Sequence, residues 1–249
     1  MNIGLYQSAA SLTALEQWQS ATAQNISSSG VNGYRERTVN FNVQTAGELI
    51  LDKSGHSGSD LNQMGSFPVA TNGINFKSGQ TQPTGGSLDV AIQGNGFFQV
   101  QLSDGSIGYT RNGAFTTRND GTLVDLSNDP VLSDSGSSIV MNPQGGTVTI
   151  NPEGVITQGA AQVGKLGVQQ FSNLQALAPL SGGLFKAGAG AGGTPVQKPS
   201  VLQGYLESSN VSPLTEMVNM VMISRAYDAN QKIITNADKE MQKTFDALG

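Results

Sequence analysis

"TEMVNMVMISRAYDANQKIITNADKEM", residues Thr215 to Met241, has the period of a long amphipathic helix. Met217, Met220, Ser224, Tyr227, Gln231, Ile234, Asp238, Met241, Phe245 and Leu248 follow alternating steps of three and four. Ile223, Ala226, Ile233 and Ala237 widen that seam. Ser212 is a good N-cap, Pro213 suits the first helical position, and Glu216 complements the helix dipole in the first turn. A helix from Pro213 to Leu248 would be about 50 Å long. Nothing near it in sequence can cover it, which makes its partner the central question of the fold.

The other helical period lies at the opposite end. Leu5, Leu12, Gln19 and Ile26 repeat every seven residues, and Ser8, Leu15 and Thr22 sit three after the first three of them. Trp18 and several alanines flank this seam. Ser27-Ser28-Ser29-Gly30 and then Asn32-Gly33 stop it. Between the helices the period becomes two, in runs such as "SLDVAIQG", "GFFQVQL" and "GTVTINPEGVITQG". Gly94-Asn95-Gly96, Asp104-Gly105, Asn112-Gly113, Asn119-Asp120-Gly121 and Glu153-Gly154 punctuate them, and such pairs supply the positive φ of tight hairpins. The expected fold class is α+β. The N- and C-terminal helices form a coiled-coil-like pair, with a central antiparallel β domain. The divisions are 1–33 for the N-terminal helix, 34–86 for an irregular linker, 87–205 for the β domain and 206–249 for the C-terminal helix. "KAGAGAGGTP", Lys186 to Pro195, reads as a flexible loop by composition.

Two helices with polar residues in their seams bury little area, while ordering backbone costs about 1–2 kcal/mol per residue. Patterning therefore leaves two arrangements open. One is a polymer whose core is built from terminal helices of many copies, and the other is an intramolecular hairpin docked on the β domain.

Composition narrows the chemistry. The 249 residues carry a net charge of −5 with no basic stripe, which argues against a nucleic-acid partner. Charged residues are only 12%, about half the usual share. There is no cysteine, so thiol chemistry and zinc–thiolate sites are excluded. The single histidine, His56, lies in the Gly/Ser-rich "KSGHSGSD" and has no second histidine to share a metal. "GNGFFQ" has Gln99 where a dinucleotide loop needs its third glycine. No cofactor, metal or small-molecule substrate is expected. Asp104, Asp120, Asp125, Asp129 and Asp134 sit in turn-like contexts, and turn capping is their expected role. The enzymatic alternative is a glycan hydrolase on a β scaffold that uses such carboxylates, and a cell-wall-binding module is a further one. Residues 1–34 contain no Lys or Arg, so no secretory signal is read there, and no apolar run is long enough for a membrane span.

Three segments carry a family resemblance. "GYLESSNVSPLTEMVNMVMISRAYDANQK" (204–232) resembles the C-terminal signature of the bacterial flagellar rod and hook family. It matches at Gly204, Leu206, Glu207, Ser209, Asn210, Val211, Glu216, Met217, Arg225, Ala226, Tyr227, Asp228 and Asn230. "QNISSSGVNGYR" resembles the N-terminal counterpart at Asn25, Ile26, Gly33, Tyr34 and Arg35, with Ser28 and Val31 departing from it. "LDVAIQGNGFFQVQLSDGSIGYTRNGAFTTRNDGTLV" looks like the β-domain core.

The resemblance implies a non-enzymatic axial subunit in the basal-body rod. It would be exported by the flagellar type III apparatus without a cleaved signal, and would assemble with itself and with other rod and hook proteins. The assembly residues would be Leu5, Leu12, Leu15, Trp18, Asn25, Ile26, Gly33, Tyr34 and Arg35 at one end. At the other end they would be Glu207, Ser209, Asn210, Val211, Glu216, Met217, Met220, Arg225, Tyr227, Asn230, Ile234 and Met241. Gly94, Gly96, Asn112, Gly113 and Gly121 would shape the β-domain turns. Total length and the short insert between Gly33 and Asp89 favour the proximal-rod type, with the distal-rod type next.

Overall fold

The structure is a computed structural model that describes residues 3–46 and 65–248. It is α+β, with a helix at each end and antiparallel strands between them. His56 lies outside the described residues, as does the side chain of Leu5. The chain divides into two compact units. One comprises 1–26, 37–73 and 213–249, and the other 27–36 and 74–212.

The first unit holds helix α1 (Ile3–Ser28), most of a two-stranded ribbon of β1 (Arg37–Ala46) and β2 (Gly65–Ile74), and the C-terminal helix. The ribbon corrects the reading of 34–86 as irregular. "TVNFNV" does alternate, but its Phe41 and Val43 are exposed, so the pattern looks like surface. Two contacts join α1 to β1. Trp18 meets Phe41 edge-on, with centroids 5.6 Å apart. The Asn25 amide accepts from the backbone N–H of Arg37 and donates to its carbonyl, both at 2.8 Å, in place of a ladder partner.

The second unit is the β domain. Its strands are β3 (Thr81–Pro83), β4 (Val90–Gln93), β5 (Phe97–Gln101), β6 (Ile107–Thr110), β7 (Thr116–Thr117), β8 (Leu123–Val124), β9 (Val148–Ile150), β10 (Val155–Gln158), β11 (Ala161–Lys165), β12 (Val168–Phe171), β13 (Leu177–Pro179), β14 (Leu184–Ala187), β15 (Gly193–Pro195), β16 (Ser200–Gln203) and β17 (Tyr205–Glu207). The largest sheet has the order β13-β14-β6-β5-β12-β15, with Phe98 opposite both Thr110 and Val168. β9, β10 and β11 form a meander, β16 pairs with β4, and β17 pairs with β3. The period of two explains two cores. On β5, Phe98 points into an aliphatic cluster with Val90, Val100, Leu123 and Ile156. Its neighbour Phe97 points the other way, into an aromatic cluster with Phe171, Phe185 and Phe76.

"KAGAGAGGTP" is a loop only over 188–192, between two strands. Its ends belong to β14 and β15, Ala191 is buried, and β15 pairs with β12 through Gln170 and Thr194. Its small residues allow backbone approach, as where the Gly188 N–H donates to Ala176 O at 2.9 Å.

Helix α2 (Pro213–Leu248) follows Ser212. None of the described helices is long and apolar enough to cross a membrane. On α1 the seam keeps the column of Ser8, Leu15 and Thr22, all buried, but not Gln19, which is exposed. Ala14, Ala21, Asn25 and Ser28 are buried as well, so the covered stripe is rotated and, Leu15 aside, made of small or polar residues.

Candidate functional site

The two signature segments converge on Glu207, at the end of β17. Its side chain is 2% exposed. The Arg35 Nη2 donates to Glu207 Oε1 at 2.6 Å, and the Arg111 Nε donates to Oε2 at 2.9 Å. The Gly79 N–H also donates to Oε1 at 2.9 Å, while the Glu207 carbonyl accepts from the Gly33 N–H at 2.7 Å. A buried carboxylate between two guanidinium groups is tolerable only when its lone pairs are this fully occupied. Burial pushes the pKa of Arg111 down, Glu207 opposes that shift, and Arg35 adds to it.

The remaining donors of Arg111 reach backbone carbonyls. Nη1 donates to Gly96 O at 2.8 Å, and Nη2 lies 3.4 Å from both Ile92 O and Ser78 Oγ. Arg111 thereby ties β17 to the turn between β4 and β5. It was not among the expected site residues. One signal for it was present: an arginine at a strand end in a chain with only 13 Lys and Arg.

Asn210 makes a second lock. Its Oδ1 accepts from the Glu36 N–H at 2.7 Å. Its Nδ2 donates to Asn75 O at 2.8 Å and Lys77 O at 2.9 Å. Ser209 Oγ accepts from the Val211 N–H at 3.1 Å, closing the turn before α2. Gly33 has φ +70°, and a Cβ there would meet the Arg111–Asn112 peptide, so only glycine fits. Tyr34 is buried beside it.

The turn glycines divide by cause. Gly94, Gly96 and Gly121 have φ of +84°, +143° and +85°. Asn112 and Gly113 do not have positive φ, so they are not the tight-hairpin pair the dipeptide suggests. Gly113 is needed because a Cβ would run into the Val90 carbonyl. Asn112 Oδ1 accepts from the Ala114 N–H at 3.1 Å as a turn residue.

Asp104, Asp120 and Asp125 cap turns. Asp104 Oδ1 accepts from the Ser106 N–H at 2.8 Å and from its hydroxyl, and these bonds hold its pKa at about 2. Asp120 accepts from the Thr122 N–H. Asp125 accepts from the N–H groups of Ser127 and Asp129. Among the described residues no group of three His, Cys, Asp or Glu could hold a metal ion.

The C-terminal helix contrasts with this junction. Its covered stripe is Glu216, Met220, Ile223, Ala226, Asn230, Ile234 and Ala237, buried or half-buried. Within the first three turns Leu214, Met217, Val218, Val221 and Met222 are each about half exposed or more, on the opposite side. The helix is thus apolar on two faces there, which is unusual for a surface helix. Of the expected assembly residues, Met217, Arg225, Tyr227 and Met241 are exposed. Asn230 turns back on its own helix, donating to Ala226 O at 3.1 Å. On α1, Leu12 and Ile26 are half-buried and Leu15 is buried.

Two family models match the chain. "Flagellar basal body rod FlgEFG protein C-terminal" covers residues 202–247, and "Flagellar hook protein FlgE/F/G D1 domain" covers 91–158. The flagellar basal-body rod protein FlgG of Buchnera aphidicola subsp. Acyrthosiphon pisum is 33% identical over 238 residues, 89% of this chain and 90% of that relative. FlgF of Caulobacter vibrioides is 31% identical over 175 residues, 70% of this chain and 71% of its own. FlgF of Rhizobium meliloti is 29% identical over 258 residues, spanning 100% of this chain and 99% of its own. Total length, which favours the proximal type in the sequence, is thus common to relatives of both types.

Proposed function

The chain belongs to the flagellar hook and rod protein family, and from that membership we propose that it is a structural, non-enzymatic subunit of the flagellar rod. It assembles with itself and with other axial proteins, and the assembled rod transmits torque across the periplasm. The terminal helices are the assembly elements, pairing in coiled-coil fashion within and between copies. The chain reaches the basal body through the flagellar type III export apparatus.

The observation that carries the reading is the second apolar face of α2. Leu214 is 74% exposed and Met217, Val218 and Val221 about half exposed. A helix with apolar residues on both faces is at home inside a bundle, and one chain covers only one of its faces. Asp104, Asp120 and Asp125 are engaged as turn caps, and no observation favours the enzymatic alternative.

Hydrogen exchange on the full-length protein tests this. Dilute protein should exchange quickly over 213–248 and slowly over the β domain, and the helix should gain protection as concentration rises. Equal protection of α2 at every concentration would sink the proposal.

A further inference from the structure

Methionine is unevenly placed in this chain. Of its seven, Met217, Met220, Met222 and Met241 lie on α2. Met217 is 53% exposed, Met222 48% and Met241 38%. Met220 is half-buried, and Met141, in the aliphatic core of the β domain, is 3% exposed. At about 100° of helical turn per residue, Met217 and Met222 stand at the two margins of the exposed apolar face, with Leu214, Val218 and Val221 between them. Met241 continues the line of Ile234 and Ala237 instead, away from that face.

A thioether in water is open to two-electron oxidation by a peroxide. A sulfur lone pair attacks one peroxide oxygen and the O–O bond breaks. With hydrogen peroxide the products are the sulfoxide and water, so the sulfur is oxidised, the peroxide is reduced and no further reactant is needed. The product carries a polar S=O where a polarizable apolar group stood. Its oxygen accepts hydrogen bonds, but the N–H groups of α2 beyond the first turn are spent within the helix. Leu214, Val218 and Val221 have no donor side chain to offer it. Pressed against another apolar face, that oxygen is buried unpaired, which is costly.

We propose that Met217 and Met222 are oxidation sites of the unassembled chain, and that a peroxide, by converting them to sulfoxides, switches off assembly through α2. Assembled copies are protected because the same face is covered. The assembly half of this inference rests on the rod reading. The oxidation half rests only on the exposure of the two residues.

The test uses the full-length protein, dilute, treated with hydrogen peroxide and quenched with catalase. Peptide mass spectrometry should find the added oxygen at Met217 and Met222 several-fold faster than at Met141. Sedimentation of the concentrated product should show assembly lost, and the methionine sulfoxide reductases for the two epimers should restore it. In Met217→Leu/Met222→Leu, sedimentation with and without peroxide should agree, whatever the variant's own tendency to assemble. Met217 and Met222 reacting no faster than Met141 overturns the proposal. So does oxidised wild type that assembles as untreated protein does, or a loss of assembly that the reductases leave in place. A double variant whose assembly peroxide still blocks overturns it too, because the loss then lies elsewhere. Untreated protein that stays monomeric at every concentration fails the rod reading and ends the assembly half with it, while the order of oxidation is decided on the dilute protein alone.

Discussion

Tyr205–Val211 and Pro213–Leu248 are consecutive parts of one sequence signature, yet they live in opposite environments. In the first, Leu206, Glu207 and Val211 are buried, and the oxygens of Glu207 and the amide of Asn210 are satisfied by groups far away in sequence. In the second, Met217, Arg225 and Tyr227 are exposed, and the apolar residues of the first turns face outward. A residue held by several buried hydrogen bonds serves the fold of its own chain. A large apolar side chain left in water adds little to that fold. One motif thus combines a lock for the β domain with an exposed apolar face on the helix that follows.

The comparison breaks most sharply at Glu207. Glu207→Ala leaves two buried guanidinium groups without their carboxylate, and loss of one partner from such a pair costs about 3–5 kcal/mol. Urea denaturation should show that loss, and a change under about 1 kcal/mol would mean that the junction is not what stabilises the domain.

Asp125 sharpens the comparison on the β-domain side. Burial is the main cause raising its pKa, with the Asp129 carboxylate adding to it and the N–H groups of Asp129 and Ser127 opposing. A carboxyl whose folded pKa is raised contributes stability that is full below its ordinary value of 3.8 and is lost as pH rises through the folded value. Asp125→Asn keeps an oxygen to accept from Ser127 and Asp129 without carrying the charge. The variant should therefore be the more stable protein at pH 7, and its advantage should vanish as pH falls toward 3.8. Thermal midpoints across that range check the sign, and a variant less stable at pH 7 would contradict it.

The smallest effect on folding is expected at Met217, which is 53% exposed. Met217→Asp should change β-domain stability by no more than about 0.5 kcal/mol. Sedimentation should nevertheless show assembly lost, because an unpaired charge in a shared helical core is costly. Unimpaired assembly would remove Met217 from the contact surface.

Much of this was legible in the sequence, and the omissions have physical causes. The helix limits were readable because period and caps are local, and Gly33 announced itself through Asn32-Gly33. The covered stripes were misplaced because Gln19 and Ser224 fit an apolar period by spacing alone, while the buried Ala14 and Ser28 carry little hydrophobic signal. Asn112-Gly113 looks like any hairpin pair, yet Gly113 is needed for the approach of the Val90 carbonyl, a contact between strands. The glycine-rich 186–195 hid β15 because backbone pairing, not side-chain pattern, places it.

By itself the sequence determined the order of helix, antiparallel β domain and helix, since periods of two and three-to-four residues are set within one element. Its short motifs also carried the family. Only the tertiary structure decided that Arg35, Arg111 and Glu207 meet, across separations of 172 and 96 residues. It alone left the Nε and Nη1 of Arg35 buried without an acceptor among the described residues. The physical reason is that a buried charge is defined by what surrounds it. Those surroundings exist only after the strand ending at Glu207 has returned to the turn at Gly33.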